Sequence, residues 1–143
     1  MSKQTFEARQ PLSVDATRVH EIYDDFVHAR FDKLAEALDE KVDFLSHAPS
    51  DVFPYLGRRR GRAEVLEALS EVHKRLEVVR FWPMTTVVDN EQAALTVVVK
   101  VKDRVTGRTA NFLGAHFLRF RGGRIADYCA IIDSFDAARQ LTE

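Results

Sequence analysis

The residues best suited to acid–base chemistry near neutral pH are the five histidines, because imidazole titrates there and can both give and take a proton. Their surroundings separate them. In the stretch Thr109–Arg121 the even positions are Ala110, Phe112, Gly114, His116, Leu118 and Phe120. The odd ones are Thr109, Asn111, Leu113, Ala115, Phe117, Arg119 and Arg121. This alternation predicts a strand with one covered face. The even set carries no charge, so it is the core face, and His116 lies in its middle. A buried imidazole requires a hydrogen-bond partner. The next segment offers Tyr128, Ala130 and Ile132 on one face, and Asp127, Cys129, Ile131 and Asp133 on the other. Gly122-Gly123 joins the two segments as a hairpin. The hairpin brings Tyr128 near His116 and leaves Asp133 at the strand end, where a bulge or twist could turn it inward. His116, Asp133 and Tyr128 therefore form the candidate catalytic set. His116 would act as general acid/base or oxyanion donor, with Asp133 or Tyr128 to orient or complement it. The competing reading makes His116 a core residue satisfied by one hydrogen bond.

Other residues qualify as walls of a binding site. Phe112 and Ile132 share the predicted inner face. Tyr23 lies in an apolar helical stripe, where core packing competes with ligand contact. Trp82, beside Pro83, is either core or a ligand platform. His20, Asp24 and His28 have a spacing that imitates a metal-binding ridge, but they sit opposite the apolar stripe and read as solvated surface. His47, at a strand end, reads as solvent-facing. The run Arg58-Arg59-Arg60-Gly61-Arg62 precedes a helix and could meet an anion there. It has no interleaved aromatics, so it reads as a solvated loop rather than a nucleic-acid site.

The elements that must position these residues follow from periodicity. Residues 1–12 read as a flexible arm ended by Pro11, and Ser13 or Asp15 can cap a helix. Val19, Ile22, Tyr23, Phe26 and Val27 follow one helical stripe, with His20, Glu21, Asp24, Asp25 and His28 on the other side. A second short helix carries Phe31, Leu34, Ala35 and Leu38, and Asp39-Glu40-Lys41 breaks it. Residues 42–47 read as a short strand. A loop with Pro49, Pro54 and Gly57 leads to a third helix from about Gly61 to Leu76. The period then changes from 3.6 to 2. Strands are expected over 78–88, with a bulge or edge position at Pro83, then over 92–104, Thr109–Arg121 and 124–133, with a short helix over 136–141. Helices followed by a meander of strands argue for an α+β fold with an antiparallel sheet. The sheet's apolar face needs the three N-terminal helices as cover.

Composition sets the outer bounds. At 143 residues the chain is one domain by size, spanning 13–143 after the arm. A net charge of -1 gives no overall field toward nucleic acid or membrane. Its single cysteine, Cys129, excludes an intramolecular disulfide and a thiolate zinc cluster. No metal or cofactor is implied. No run approaches the ~18 apolar residues of a membrane span, and the polar start lacks a signal-peptide core. A cytoplasmic location is expected.

Two apolar helices, a short strand, the GRAEVLEAL helix and the segment HFLRFRGGRIADYCAIIDSFD together resemble a known pattern. It is the SnoaL-like and ketosteroid isomerase-like branch of the nuclear-transport-factor-2-like superfamily, from about Val14 onward. The resemblance implies a cone-shaped curved sheet around an apolar pocket, and often a homodimer. Superfamily members include isomerases, polyketide cyclases, dehydratases, epoxide hydrolases and noncatalytic binding modules. Aligning the hairpin puts His116 where ketosteroid isomerases keep a protonated aspartic acid for an oxyanion. The general-base position of the first strand falls on PheLeuSerHis, at Ser46 or its neighbours, so the aspartate expected there is absent. Tyr23 approximates the oxyanion tyrosine. IleAspSerPheAsp resembles an epoxide-hydrolase segment, with Asp133 at one catalytic aspartate, but ValLysValLysAsp supplies neither of the matching residues.

Two functions are therefore expected as alternatives. One is an acid–base isomerase, cyclase or dehydratase acting on a small apolar carbonyl or polycyclic compound. The other is a noncatalytic ligand-binding or dimeric interaction module. Leu113, Ala115 and Phe117 form an apolar patch on the predicted outer sheet face, and such a patch points to a homodimer.

Overall fold

A computed structural model of the chain describes residues 14–50 and 52–142. The expected arm at 1–12 and the candidate cap Ser13 lie outside the described residues. Helix α1 (Ala16–Val27) is capped by Asp15, whose side chain accepts from the Arg18 amide at 2.9 Å. Its stripe of Val19, Ile22, Tyr23 and Phe26 is buried. Asp25, expected on the solvated side, is also buried, because Arg30 reaches its carboxylate at 3.1 Å.

Helix α2 (Phe31–Ala37) ends one residue before Leu38, which is extended and opens β1 (Leu38–Ser46). The charged triplet 39–41 thus ends the helix by passing straight into strand. The arginine run is not a loop. Arg58–Arg60 form β2, an edge strand antiparallel to β1 with Phe44 opposite Arg59. Its neighbours occupy three of the guanidiniums: Arg58 meets Asp43 at 3.2 Å, Arg59 holds the Tyr55 carbonyl and Arg62 holds the Leu38 carbonyl. Helix α3 (Arg62–Arg75) follows, then β3 (Leu76–Asp89), β4 (Gln92–Asp103), β5 (Thr109–Arg121), β6 (Arg124–Ile132) and α4 (Ser134–Thr142).

The six strands form one curved, unclosed sheet in the order β2-β1-β6-β5-β4-β3. The meander β3 to β6 is antiparallel as expected. β1, however, pairs with β6 in parallel. A meander leaves its last strand as an edge, and β1 reaches that edge through the long connection that parallel pairing requires. Helix α1 lies against β3, and α3 against β1, β2 and β3. These contacts cover the inner face, where Val97, Val99, Ala110 and Phe120 are almost fully buried. Beyond Gly114, β6 has ended, and Gln140 of α4 takes the place of a strand neighbour. Its carboxamide bonds the Asn111 amide at 2.6 Å and the Asn111 carbonyl at 2.8 Å.

Strand β3 departs most from simple alternation. Its register slips between Val78 and Arg80, and again between Pro83 and Thr85. Each bulge inverts which parity faces the core. The more buried positions therefore run Leu76 and Val78, then Phe81 and Pro83, then Thr86 and Val88. No helix among the described residues is long and apolar enough to cross a membrane.

Candidate functional site

The inner face and its helices border a partly open cavity of about 140 Å³. Among the described residues its lining contains no charged side chain, and its polar members are Tyr23, Ser46, His116 and Tyr128. Three of these four meet at one point. The hydroxyl of Tyr23 lies 2.6 Å from Nδ1 of His116, and that of Tyr128 lies 2.9 Å from the same nitrogen. The register explains the meeting. His116 stands opposite Ala130, while Tyr128 stands opposite Leu118, one inner-face step away. Tyr128 therefore reaches His116 diagonally, over the small side chain of Ala130, and the apolar stripe of α1 lowers Tyr23 onto the pair from above.

Aromatic neighbours hold the cluster in place. Phe44 stacks on Tyr128 at 4.9 Å between ring centroids and 7° between planes. Phe81 lies 5.7 Å from Tyr23 and 5.7 Å from His116. These rings restrict the rotamers of the polar side chains and exclude water from them.

Exclusion of water sets the protonation states. His116 is 2% exposed, and burial lowers its pKa to about 3, so the ring is neutral at physiological pH. Burial, followed by the adjacent Tyr128, pushes Tyr23 well above the ordinary phenol value. Tyr128 is raised as well, again chiefly by burial. The site thus presents one neutral imidazole and two neutral phenols. Nδ1 has a single in-plane position. In one ring tautomer it accepts a phenol proton. In the other it donates, and a phenol proton is free to turn toward a ligand. A ligand oxygen placed at the phenols would meet neutral donors in a low-dielectric site, where a hydrogen bond is strongest.

The family model of the SnoaL-like domain matches residues 19–128, a span that contains most of α1, most of the cavity's lining and all three members of the cluster. The chain belongs to the SnoaL-like family. No protein of the curated set matches it in sequence. Among solved structures, a candidate isomerase from Rhodopseudomonas palustris is 25% identical with a TM-score of 0.77, over 84% of this chain and 89% of that one. A nuclear-transport-factor-2-like protein of unknown function from Burkholderia pseudomallei K96243 is 22% identical with a TM-score of 0.79, over 89% and 96%. An epoxide hydrolase of M. tuberculosis is 14% identical with a TM-score of 0.72, over 87% and 86%. The last two likenesses show the fold alone, and they agree with the cone-shaped α+β architecture.

In this SnoaL-like chain the residues singled out from sequence divide into two groups. His116, Tyr128, Tyr23, Phe112, Ile132 and Ser46 all line the one cavity. Ser46 is buried and stands in register with Ala130, which stands in register with His116, so it occupies the far end of the same row. Asp133 and Trp82 are elsewhere. Asp133 is exposed and caps α4, its carboxylate accepting from the Asp136 amide at 3.2 Å. The outward parity of its strand position holds through to the end, and no twist turns it in. Trp82 is 49% exposed and packs against the His20 ring at 5.9 Å. The bulge after Val78 gives its inward place to Phe81, which sequence reasoning missed. The only signal for Phe81 was the doublet Val78-Val79, which breaks the alternation of apolar and polar residues. His20, Asp24 and His28 do not form one group: His28 lies 3.3 Å from the Asp24 carboxylate, which also pairs with Arg30, while His20 turns away to bond Thr86. No metal-binding group of side chains occurs among the described residues.

Proposed function

We propose that this SnoaL-like protein binds a small, uncharged, mostly apolar molecule through a carbonyl or hydroxyl oxygen, and acts on it by acid–base chemistry of the isomerase, cyclase or dehydratase kind. The observation that carries this reading is the convergence of Tyr23, His116 and Tyr128 inside a cavity to which the described residues contribute no charged side chain. A charged ligand would lose its hydration there without gaining a counter-ion. A carbonyl would receive a phenol hydrogen bond that strengthens as negative charge develops on its oxygen. The neutral imidazole beside it is the group able to exchange a proton. The cavity's size suits such a molecule. A cavity of roughly 150 Å³ holds a benzene-sized guest, so about 140 Å³ has room for at least one ring of a ligand. The relative named as a candidate isomerase is consistent with this chemistry. Epoxide hydrolysis is less so, because Asp133 is committed to capping α4.

The test uses cyclohex-3-enone, a neutral monocyclic ketone whose conversion to the conjugated isomer is followed by ultraviolet absorbance. The wild type should bind and convert it, and His116→Ala should reduce turnover by ~10²-fold or more. Conversion at the same rate in both proteins would refute the assignment. Binding without conversion in the wild type would favour the noncatalytic module, a reading supported by the absence of a carboxylate among the described residues that line the cavity.

We further propose a homodimer through the outer sheet face. Leu113, Phe117 and Ile131, neighbours on β5 and β6, are each about half exposed or more there. Apolar exposure of this kind on a sheet is what an interface covers.

A further inference from the structure

The outer face of the sheet carries a row of charged and polar side chains. Asp43 on β1, Asp127 on β6, Arg119 on β5, Gln92 on β4 and Asp89 on β3 stand in register across it. Arg58 of β2 completes the row by pairing with Asp43 at 3.2 Å. Arg119 pairs with Asp127, while Asp89 enters no ion pair among the described residues. All six border a groove of about 540 Å³ on that face. The next row is apolar: Leu45, Cys129, Phe117, Ala94 and Val87 stand in register in the same strand order. One step further, Ile131 stands opposite Ala115. Within one chain the charged row leaves two aspartates side by side on β1 and β6, where like charges repel. It also holds Arg58 five strand spacings, about 24 Å along the sheet, from Asp89.

In strand order the row runs Arg58, Asp43, Asp127, Arg119, Gln92, Asp89. Reversed and laid against itself, it sets Arg58 against Asp89, Asp43 against the Gln92 carboxamide and Asp127 against Arg119. Every position meets a complementary one. A two-fold axis makes this pairing, because an isologous contact sets residue i against j and j against i. We infer that a second copy of this chain docks on the outer face about a two-fold axis that runs along the strands between β5 and β6. The inference rests on the homodimer proposed above and specifies its axis and register. The same axis sets Cys129 against Phe117, Leu45 against Ala94 and Ile131 against Ala115 of the second copy. Each time a larger side chain meets a smaller one, as a well-packed interface core requires. The groove receives the Phe117 ring of the second copy. The other in-plane axes fail. A two-fold across the strands through the charged row would set each charge against its own kind. One through the apolar row would set Asp127 against Ile131 and Arg119 against Ala115, and those charges would lose water without gaining a partner. The order of charges therefore selects one axis and penalises the wrong registers.

The experiment exploits Arg58 and Asp89, which only a second copy can bring together. Sedimentation gives the dimer Kd of wild type, Asp89→Arg and Arg58→Asp, and circular dichroism confirms the fold of each. Either reversal alone places two like-charged contacts across the axis and should raise Kd by ~10-fold or more. An equimolar mixture of the two variants places an arginine against an aspartate at both contacts. The mixture should regain the wild-type Kd to within about 3-fold, and native mass spectrometry should show the heterodimer in preference to either homodimer. Gln92→Glu tests the register without Arg58. Within one chain the new carboxylate lies beside Arg119, whereas across the axis it meets Asp43, so the monomer should stay folded and the dimer should weaken. A wild-type dimer whose Kd is unchanged by Asp89→Arg and by Gln92→Glu overturns the inference and leaves the outer-face homodimer standing. So does a mixture of two folded variants that forms no heterodimer. A monomeric wild type overturns both.

Discussion

Burial of His116 makes acid stability the most direct physical test of the site. The imidazole has an ordinary value of 6.5 and a folded value of about 3. Because the folded value is the lower one, the unfolded chain binds more protons as the pH falls. The stabilisation is therefore complete above pH 6.5 and is lost progressively as the pH falls toward 3. Each unit is worth ~1.4 kcal/mol. At pH 5 the unfolded histidine is protonated and the folded one is not, a gap of 1.5 units below 6.5. The wild type should then have lost ~2 kcal/mol through this group alone. His116→Gln removes the titration and keeps an amide that can meet the phenols. His73, also lowered by burial, titrates in both proteins and cancels in the comparison. Urea unfolding of both proteins at pH 7 and pH 5, followed by circular dichroism, isolates the term. The wild type should lose ~2 kcal/mol more than the variant between the two pH values. Equal losses would mean that the ring is protonated or hydrated in the folded protein, and the account of a neutral cluster would be wrong.

Two further outcomes are expected. Light scattering at micromolar concentration should give the mass of a homodimer for the wild type and of a monomer for Phe117→Asp, and a monomeric wild type would refute the outer-face interface. Asp133→Ala should destabilise the fold by ~1 kcal/mol through the lost cap and leave turnover of cyclohex-3-enone unchanged; a collapse in turnover would return Asp133 to the catalytic set.

The site was legible wherever strands keep a strict period of two. On β5 the uncharged even set identified the inner face, and on β6 the same alternation placed Tyr128, Ala130 and Ile132 on that side. Hairpin geometry then brought Tyr128 to His116 without knowledge of the rest of the fold. Legibility ended where pairing partners are distant in sequence. Arg58–Arg60 form a strand because β1 offers an open edge and Asp43 sits in position to pair with Arg58, and nothing within the arginine run marks this. The parallel pairing of β1 with β6 depends on the direction in which a long connection returns. Local composition does not encode that direction.

The bulges of β3 show how much of a site can depend on irregularities that composition barely marks. Without the slip after Val78, Trp82 would share the inward parity of Leu76 and Val78, and Phe81 would face outward. An indole against Tyr23 would occupy much of a cavity of about 140 Å³, and its N–H would seek a partner in an otherwise apolar wall. The slip instead presents the smaller, wholly apolar Phe81, which packs against both Tyr23 and His116. The second slip, after Pro83, restores the original parity, so that Thr86 reaches His20 on α1 at 3.0 Å and the helix that delivers Tyr23 is tied to the strand. The same two irregularities therefore keep the cavity open, keep its wall free of competing donors and fix the height of Tyr23 above the imidazole. The cluster depends on them as much as on its own three side chains.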